Sequence, residues 1–223
     1  MDNLTLVIPA KNEKESLPNV LNELKKFKLK ILIILESEDV ETISSIKDFD
    51  CKILKQSKKG YGNALIEGIK ETKTKYFCIF NADGSFNPEE LKKMYHLAEK
   101  ENFDLVFGSR YEKNAGSDDD TIITYVGNKI FSFIGKFFFS LTLTDILYTY
   151  VLGNTEKVNK LKLIKNDFGF CVELPIKAKK AGLKLTTSSS FERKRIAGEK
   201  KVNALKDGFK ILISMIALYL NLV

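Results

Sequence analysis

Residues 76–90, YFCIFNADGSFNPEE, pass from five apolar residues (Tyr76 to Phe80) through a small turn, Asn81-Ala82-Asp83, into Asn87-Pro88-Glu89-Glu90. Aromatic and β-branched residues that stop at a polar turn predict a buried strand. Proline in a first helical turn predicts that a helix opens at Pro88. In open α/β sheets ligands bind just beyond the carboxyl ends of the strands. Asp83 therefore stands where a carboxylate can hold a divalent ion against a ligand's phosphates. The same residues also make an ordinary strand-to-helix turn, and so short a stretch does not separate the two readings.

The flanking sequence repeats the pattern. Leu4–Pro9 predicts a first strand, and Leu17, Val20, Leu21 and Leu24 share one face of a helix from about Glu13 to Phe27. Lys30–Leu35 and Cys51–Leu54 predict two more strands, with a short helix between them. Lys58-Lys59-Gly60-Tyr61-Gly62-Asn63-Ala64 opens a helix to about Thr72, and Phe103–Phe107 predicts a strand that closes on Gly108-Ser109-Arg110-Tyr111. Apolar strands alternating with amphipathic helices, without hairpin signals, predict an α/β fold with a mostly parallel sheet covered by helices on both faces. Residues 1–111 then form a Rossmann-type nucleotide-binding half. Five polar clusters fall at strand ends and so share one sheet edge: Asn12-Glu13, Glu36 to Asp39, Gly60 to Asn63, Asn81 to Asp83, and Ser109-Arg110. Solvation alone is a poor account of that coincidence.

The chain has 223 residues, 44% apolar and 29% charged, which suits one globular domain with a real core. A net charge of +7 suits an anionic partner, whether nucleic acid, phosphorylated substrate or membrane surface. Nucleic acid is the least attractive of these, because the basic residues are dispersed and no recognition helix or RNA-binding signature is present. Cys51, Cys78 and Cys171 lack metal-type spacing and predict reduced, packed thiols in a cytosolic protein. His96 predicts a surface or packing residue. Met1-Asp2-Asn3 leads directly into LTLVIP, so no signal peptide is expected. The C-terminal Ile211–Val223 run is too short to span a bilayer and predicts a helix that packs on the domain or lies in an interface.

In the second half, Asn114–Asp120 (NAGSDDD) predicts a solvated acidic loop. Ile122–Leu143 predicts a helix apolar over much of its circumference, with core packing as the default and an interfacial helix as the alternative. Phe168–Ala181 predicts a helix that Pro175 either kinks or starts. Leu183–Phe191 predicts a strand, followed by the basic loop Glu192–Lys201 and a last helix from about 207 to 223.

Six motifs, in order over residues 4–210, make the chain resemble the family 2 glycosyltransferases. Within that family it is similar to the polyprenyl-phosphate sugar transferases related to dolichol-phosphate mannose synthase. Pro9-Ala10-Lys11-Asn12-Glu13 resembles P-x-x-N-E, and Gly60-Tyr61-Gly62-Asn63-Ala64 resembles G-x-G-x-A. Asn81-Ala82-Asp83 stands where D-x-D stands, and Asn87-Pro88-Glu89-Glu90 where P-x-E follows. Gly108-Ser109-Arg110-Tyr111, Gly127-Asn128 and Arg195-Ile196-Ala197-Gly198-Glu199-Lys200-Lys201 resemble G-S-R-Y, G-N and R-x-x-G-x-S-K.

The resemblance implies a single GT-A domain, with an acceptor-binding half over residues 112–210. It implies inverting transfer of a hexose from a UDP- or GDP-linked donor to a polyprenyl or dolichyl phosphate, with Mg²⁺ or Mn²⁺, in cell-envelope glycan assembly. Pro9, Ala10, Asn12, Glu13, Glu36, Lys59, Gly60, Asn63, Asn81, Ala82 and Asp83 would meet the donor, and Asp83 would hold the ion. Arg110, Arg193, Arg195 and Lys201 would hold phosphates, since arginine suits bidentate oxygen contacts. Asp145 would act as base or orient the sugar, or else be a cap or turn residue. The protein would sit at the cytoplasmic face of a membrane, touching lipid through Ile130–Phe139 or the C-terminal helix beside Lys129, Lys136 and Lys210.

The chain departs from the pattern at five places. Leu35-Glu36 replaces two aspartates, Asn81 replaces the first aspartate of D-x-D, Tyr148-Thr149-Tyr150 replaces a glycine segment, and Lys200 replaces a serine. Thr124 and Tyr125 stand near a missing arginine. Two alternatives therefore stay open: a soluble saccharide or protein acceptor, or a nucleotide-sugar-binding protein without turnover.

Overall fold

Seven strands form the central sheet of the computed structural model, which describes residues 1–198 and 203–222. In chain order the elements are β1 (Leu4–Pro9), α1 (Leu17–Leu24), β2 (Lys30–Leu35), α2 (Val40–Ser45), β3 (Lys52–Lys55), α3 (Tyr61–Glu71) and β4 (Tyr76–Ile79). They continue with α4 (Leu91–Glu99), β5 (Leu105–Ser109), β6 (Gly116–Ser117), α5 (Ile122–Phe139), β7 (Val151–Asn154) and α6 (Thr155–Asn159). The chain closes with α7 (Phe170–Lys180), β8 (Leu185–Ser189), β9 (Phe191–Glu192) and α8 (Ala204–Tyr219).

The sheet order is β3-β2-β1-β4-β7-β5-β8. The expected mostly parallel sheet is present, with one strand that the local sequence did not announce. β7 runs antiparallel to both β4 and β5. Two reversals cancel, so β5 and β8 run in the same direction as β1 to β4. Side-chain alternation splits the core along each strand. Leu4, Leu6 and Ile8 face α1 and α4, whereas Val7 joins the α3, α6 and α7 side with Leu65, Ile69, Phe170 and Leu174. Gly153 of β7 is required by this packing, since a Cβ there would meet the Phe77 ring and Leu105.

Several boundaries moved for identifiable reasons. α1 begins at Leu17 rather than Glu13, because Pro18 occupies its first turn and Glu13 to Ser16 form a turn instead. In that turn the Ser16 hydroxyl donates to Glu13 Oε2 (2.5 Å) and the Glu13 N–H donates to Thr42 Oγ1 (2.9 Å). Pro88–Glu90 form a 3-10 turn before α4. α5 stops at Phe139, where Ser140 takes a left-handed conformation (φ 54°). Pro175 lies inside α7, not at its start. α8 begins at Ala204, with Asn203 accepting from the Lys206 N–H.

The expectation of core packing for α5 holds for one face only, where Phe131, Ile134 and Phe139 pack against the cluster that includes Ile176, Ile211 and Met215. Ile130, Phe133, Phe137 and Phe138 are exposed, and the buried positions of α5 are Asn128, Ser132 and Gly135. No helix among the described residues is long and apolar enough to cross a membrane. The three thiols are free, with Cys78 and Cys171 buried.

Candidate active site

A cleft of about 430 Å³ opens along the carboxyl ends of the strands. One wall holds Pro9, Ala10, Lys11 and Glu13 after β1, Glu36 after β2, and Gln56, Gly60 and Tyr61 around the start of α3. Asn81, Ala82 and Asp83, just past β4, form the floor. The far wall comes from Arg110, Asp119, Asp120, Thr124, Asn128, the Leu147–Thr149 segment, Glu192 and Arg195. A larger concavity, about 630 Å³, lies at the amino-terminal edge around Thr5, Lys30 and Lys52. Parallel sheets place chemistry at the carboxyl edge, and the polar clusters converge there, so size does not decide between the two.

Asp83 is held by its own turn. The Ser85 N–H donates to Asp83 Oδ1 (3.0 Å), which leaves Oδ2 facing Arg195 Nη1 at 3.7 Å. Gly84, at φ +82°, lets the basic loop close over this turn, because a Cβ there would strike the Ile196 side chain. The loop is pinned by backbone bonds from Arg193 N–H to Ser85 O and from Ile196 N–H to Asp83 O, both 2.8 Å. Arg195 also donates from Nη2 to Asp119 Oδ2 (2.9 Å), so its guanidinium spans two carboxylates. Burial disfavours that charge, but Asp119 and Asp83 outweigh it and raise the Arg195 pKa.

Arg110 is the most enclosed cation of the cleft. Its Nε and Nη2 donate to the two oxygens of Asp145 (2.8 and 3.0 Å), and its Nη1 donates to Glu192 Oε2 (3.0 Å). The guanidinium lies 4.7 Å from the Tyr148 ring centroid. Burial opposes its charge, yet the bonds and charges of Asp145 and Glu192 prevail and hold it firmly protonated. Three of its five N–H donors are spent on these partners, which leaves two for a ligand.

Asp145 is not among the residues that line the cleft. Its side chain is fully buried, and it accepts from Arg110 N–H (3.0 Å) and from Asn128 Nδ2 as well as from the guanidinium. Four donors converge on two oxygens, three of them from Arg110. Asn128 of the G-N pair supplies the fourth.

Other expected residues divide by position. Pro9, Ala10, Glu13, Glu36, Gly60, Asn81, Ala82, Asp83, Arg110 and Arg195 line the cleft. Asn12, Lys59, Asn63 and Arg193 do not. Asn12 adopts φ 55° and gives its N–H to Asp39 Oδ2 (2.7 Å). Lys59 lies 3.4 Å from Glu36, whose carboxyl is held below its ordinary value chiefly by the Lys11 bond and then by Lys59. The Asn63 amide donates to Lys58 O (2.7 Å) and to Glu67. Arg193 grips Glu23 with Nη1 and Nη2 (2.8 and 2.9 Å) and the Phe86 carbonyl (2.7 Å). Lys201 lies outside the described residues.

The glycines of Gly60-Tyr61-Gly62 serve packing. A Cβ at either glycine would overlap carbonyls of the Lys165–Asp167 loop, and the Asn63 N–H donates to Asn166 O (3.2 Å). Tyr61 stacks on Phe168 (5.0 Å) and shares a hydrogen bond with Thr149 (2.7 Å).

The acidic loop is corrected too. Asp119 holds Arg195, and Asp120 accepts from Tyr111 Oη (2.6 Å) and from Thr124. Only charge complementarity between NAGSDDD and the ERKR segment hinted at this pairing. Where the family's glycine segment is replaced, Tyr148 and Tyr150 pack with Phe86 behind the Asp83 turn, and the Tyr150 ring stacks at 4.5 Å. Lys11, Arg110 and Arg195 face six lining carboxylates (Glu13, Glu36, Asp83, Asp119, Asp120 and Glu192), a formal charge of −3 among the described residues.

This geometry agrees with comparison to known proteins. Residues 5–162 match the family model for Glycosyl transferase family 2. The chain belongs to that family. It is 27% identical to an uncharacterised protein of Methanocaldococcus jannaschii, over 96% of this chain and 91% of the relative. It is 22% identical to the glycosyltransferase AglJ of Haloferax volcanii, over 96% of this chain and 71% of the relative. An uncharacterised glycosyltransferase of Mycobacterium tuberculosis is 26% identical over 95% of both chains. Among solved structures, glucosyl-3-phosphoglycerate synthase of Mycobacterium tuberculosis, bound to Mn²⁺, UDP and glucosyl-3-phosphoglycerate, superposes with a TM-score of 0.76. The identity is 12%, and the match covers 96% of this chain and 79% of that one. Mannosyl-3-phosphoglycerate synthase of Rubrobacter xylanophilus gives 0.73 at 13% identity, covering 98% and 72%. The fold is GT-A, and the chain is a glycosyltransferase of family 2.

Proposed function

We propose that the protein moves a hexose, with inversion, from a UDP- or GDP-linked donor to a polyprenyl phosphate at the cytoplasmic face of a membrane. The observation that carries this reading is Asp83, whose Oδ2 accepts no hydrogen bond from its own turn and meets only the Arg195 guanidinium, at 3.7 Å, in a cleft whose formal charge is already −3. A nucleoside diphosphate adds more negative charge, so the cleft requires a cation to admit it.

The residues fit a hard divalent ion, Mg²⁺ or Mn²⁺. Asp83 Oδ2 faces the cleft, and Asp119 approaches the same guanidinium from the other side. One or two carboxylates together with substrate phosphates and water are the usual setting for such an ion. Among the described residues no cluster of three metal-ligating side chains competes for it. When bound, the ion offsets charge on the departing diphosphate.

The chain's own groups supply the rest. Pro9, Ala10, Glu13 and Glu36 border the base and ribose. Arg195, relieved of Asp83 and Asp119, is placed for the phosphates, and Arg110 keeps two N–H donors for them. An acceptor phosphate is already anionic near neutral pH, so positioning suffices where a hydroxyl would need a base. Its oxygen attacks the anomeric carbon as the bond from that carbon to the diphosphate breaks, releasing the nucleoside diphosphate. Asp145 is compatible with this chemistry because none of the steps asks it to take a proton.

The test is thermal stabilisation by UDP and GDP, each with and without Mn²⁺, on the native protein and on Asp83→Asn. A metal-dependent rise with one nucleotide, lost in the variant, identifies the donor. Turnover of that donor with a short-chain polyprenyl phosphate then names the acceptor class. Turnover only with a soluble acceptor overturns the lipid part of the reading. No shift with either nucleotide at millimolar concentration overturns the donor site.

A further inference from the structure

Fourteen of the twenty large apolar side chains exposed among the described residues lie on two helices, α5 and α8, which pack against each other. On α5, Ile122, Val126, Phe133 and Phe137 recur at helical spacing on the outer side, with Phe137 71% exposed. The inner side carries Thr124 and Asn128, which line the cleft. A chain of rings joins the two helices: Phe133 to Phe137 (6.2 Å), Phe137 to Phe138 (5.0 Å) and Phe138 to Tyr219 of α8 (5.4 Å). α8 adds Phe209, Ile213 and Ile216. Soluble monomers seldom expose one apolar surface of this extent without a partner for it.

The charges on these helices select the partner. Lys129 and Lys136 of α5 and Lys206 and Lys210 of α8 are exposed. α5 has no acidic residue, and the single acid of α8, Asp207, is buried against the Asn203 N–H (2.8 Å). An apolar stripe edged by lysines, with no exposed carboxylate on either helix and a single neighbouring one, Asp167, 4.0 Å from Lys210, matches the interface of a bilayer with anionic headgroups. A second copy of the same face would oppose lysine to lysine, which argues against a dimer.

We infer that α5 and α8 together form a docking surface for an anionic bilayer, with the cleft mouth seated beside the headgroups. This extends the proposed reading, in that α5 is the shared wall: its outer side meets lipid and its inner side meets substrate. The inference stands or falls without any donor or acceptor present.

The experiment is sedimentation of the full chain with vesicles of phosphatidylcholine alone and of phosphatidylcholine with 30% phosphatidylglycerol (about 0.1 M salt), repeated at about 0.5 M salt. Binding to the anionic vesicles, weakened at least tenfold by high salt and at least tenfold in Phe133→Ser/Phe137→Ser, is the expected result. All substituted positions are exposed, and an unchanged melting temperature verifies the fold. A Lys129→Gln/Lys136→Gln variant should lose the anionic preference while remaining folded. No binding to either vesicle overturns the inference. A concentration-dependent dimer that the Phe→Ser variant abolishes, without vesicle binding, overturns it in favour of a second copy. Vesicle binding by a protein that shows no nucleotide-dependent stabilisation would leave docking intact and sink the transferase reading alone.

Discussion

Asp145→Asn separates a positioning role from a catalytic one. Arg110 Nη2 and Asn128 Nδ2 point at Asp145 Oδ1, and Arg110 N and Nε point at Oδ2. An asparagine offers one oxygen, and its NH₂ must face two donors whichever way it turns. Each buried donor left unsatisfied costs ~1–3 kcal/mol. Breaking a buried ion pair by removing one partner costs ~3–5 kcal/mol. Glu192 remains on Nη1 and partly compensates, so the lower end, about 3 kcal/mol, is the expected loss. For a chain of this size that corresponds to a fall of about 6–12 °C in melting temperature. The assay is thermal unfolding followed by circular dichroism, with Glu41→Gln as the control. The Lys14–Glu41 pair has side chains 50% and 74% exposed, where solvent screens it, so breaking it should leave the melting temperature at that of the parent. A melting temperature for Asp145→Asn within about 2 °C of the parent would refute the reasoning. Were that accompanied by a lost acidic limb in the pH–rate profile, Asp145 would be a base after all.

Gly84→Ala should lower stability by more than ~1 kcal/mol, since the position needs φ +82° and a Cβ would displace Ile196. The loss should come with faster proteolysis of the 193–198 loop, and unchanged cleavage would contradict the seating of that loop on the Asp83 turn. Burial raises the Cys78 thiol well above its ordinary value and pushes Cys171 up to about 12. Thiol titration at pH 8 should therefore find both protected until the protein unfolds, with only the half-buried Cys51 reacting in the native state. Glu36, held low by Lys11 first and then by Lys59, contributes stability that is complete above its ordinary 4.5 and disappears as pH falls through its lower folded value. Lys11→Met should flatten the dependence of the urea midpoint on pH below 4.5, and identical slopes in parent and variant would remove Glu36 from the account.

The order of strands and helices in the first half was legible because each buried strand is a local apolar run between polar turns. β7 was not, for a reason of geometry. Val151-Leu152-Gly153-Asn154 is short, carries a glycine that weakens any strand signal, and earns its place only by fitting between β4 and β5. The cleft residues at strand ends were legible for the same reason that the strands were. Arg110 was found, but its partners Asp145 and Glu192 lie 35 and 82 residues away, and Asn128, which donates to Asp145, lies 17 residues before it, so nothing local ties them together. Arg193 and Arg195 illustrate the limit at its sharpest. Two residues apart in one basic loop, they face opposite ways, one to Glu23 on α1 and one to Asp83 and Asp119. Alternation along an extended segment makes neighbours of that spacing share a side, so spacing alone does not separate the two arginines; their partners do.

Charge gives the same lesson on a larger scale. A net charge of +7 suggested a cationic ligand site, yet the cleft lining is acidic and its few cations are held by carboxylates. The surplus lies elsewhere, in part on the outer edges of α5 and α8. This division has a physical consequence. An acidic cleft excludes free anions unless a cation accompanies them, whereas exposed lysines attract an anionic surface over a Debye length of about 10 Å at 0.1 M salt. α5 stands between the two fields, with Thr124 and Asn128 toward the cleft and Phe133 and Phe137 toward solvent.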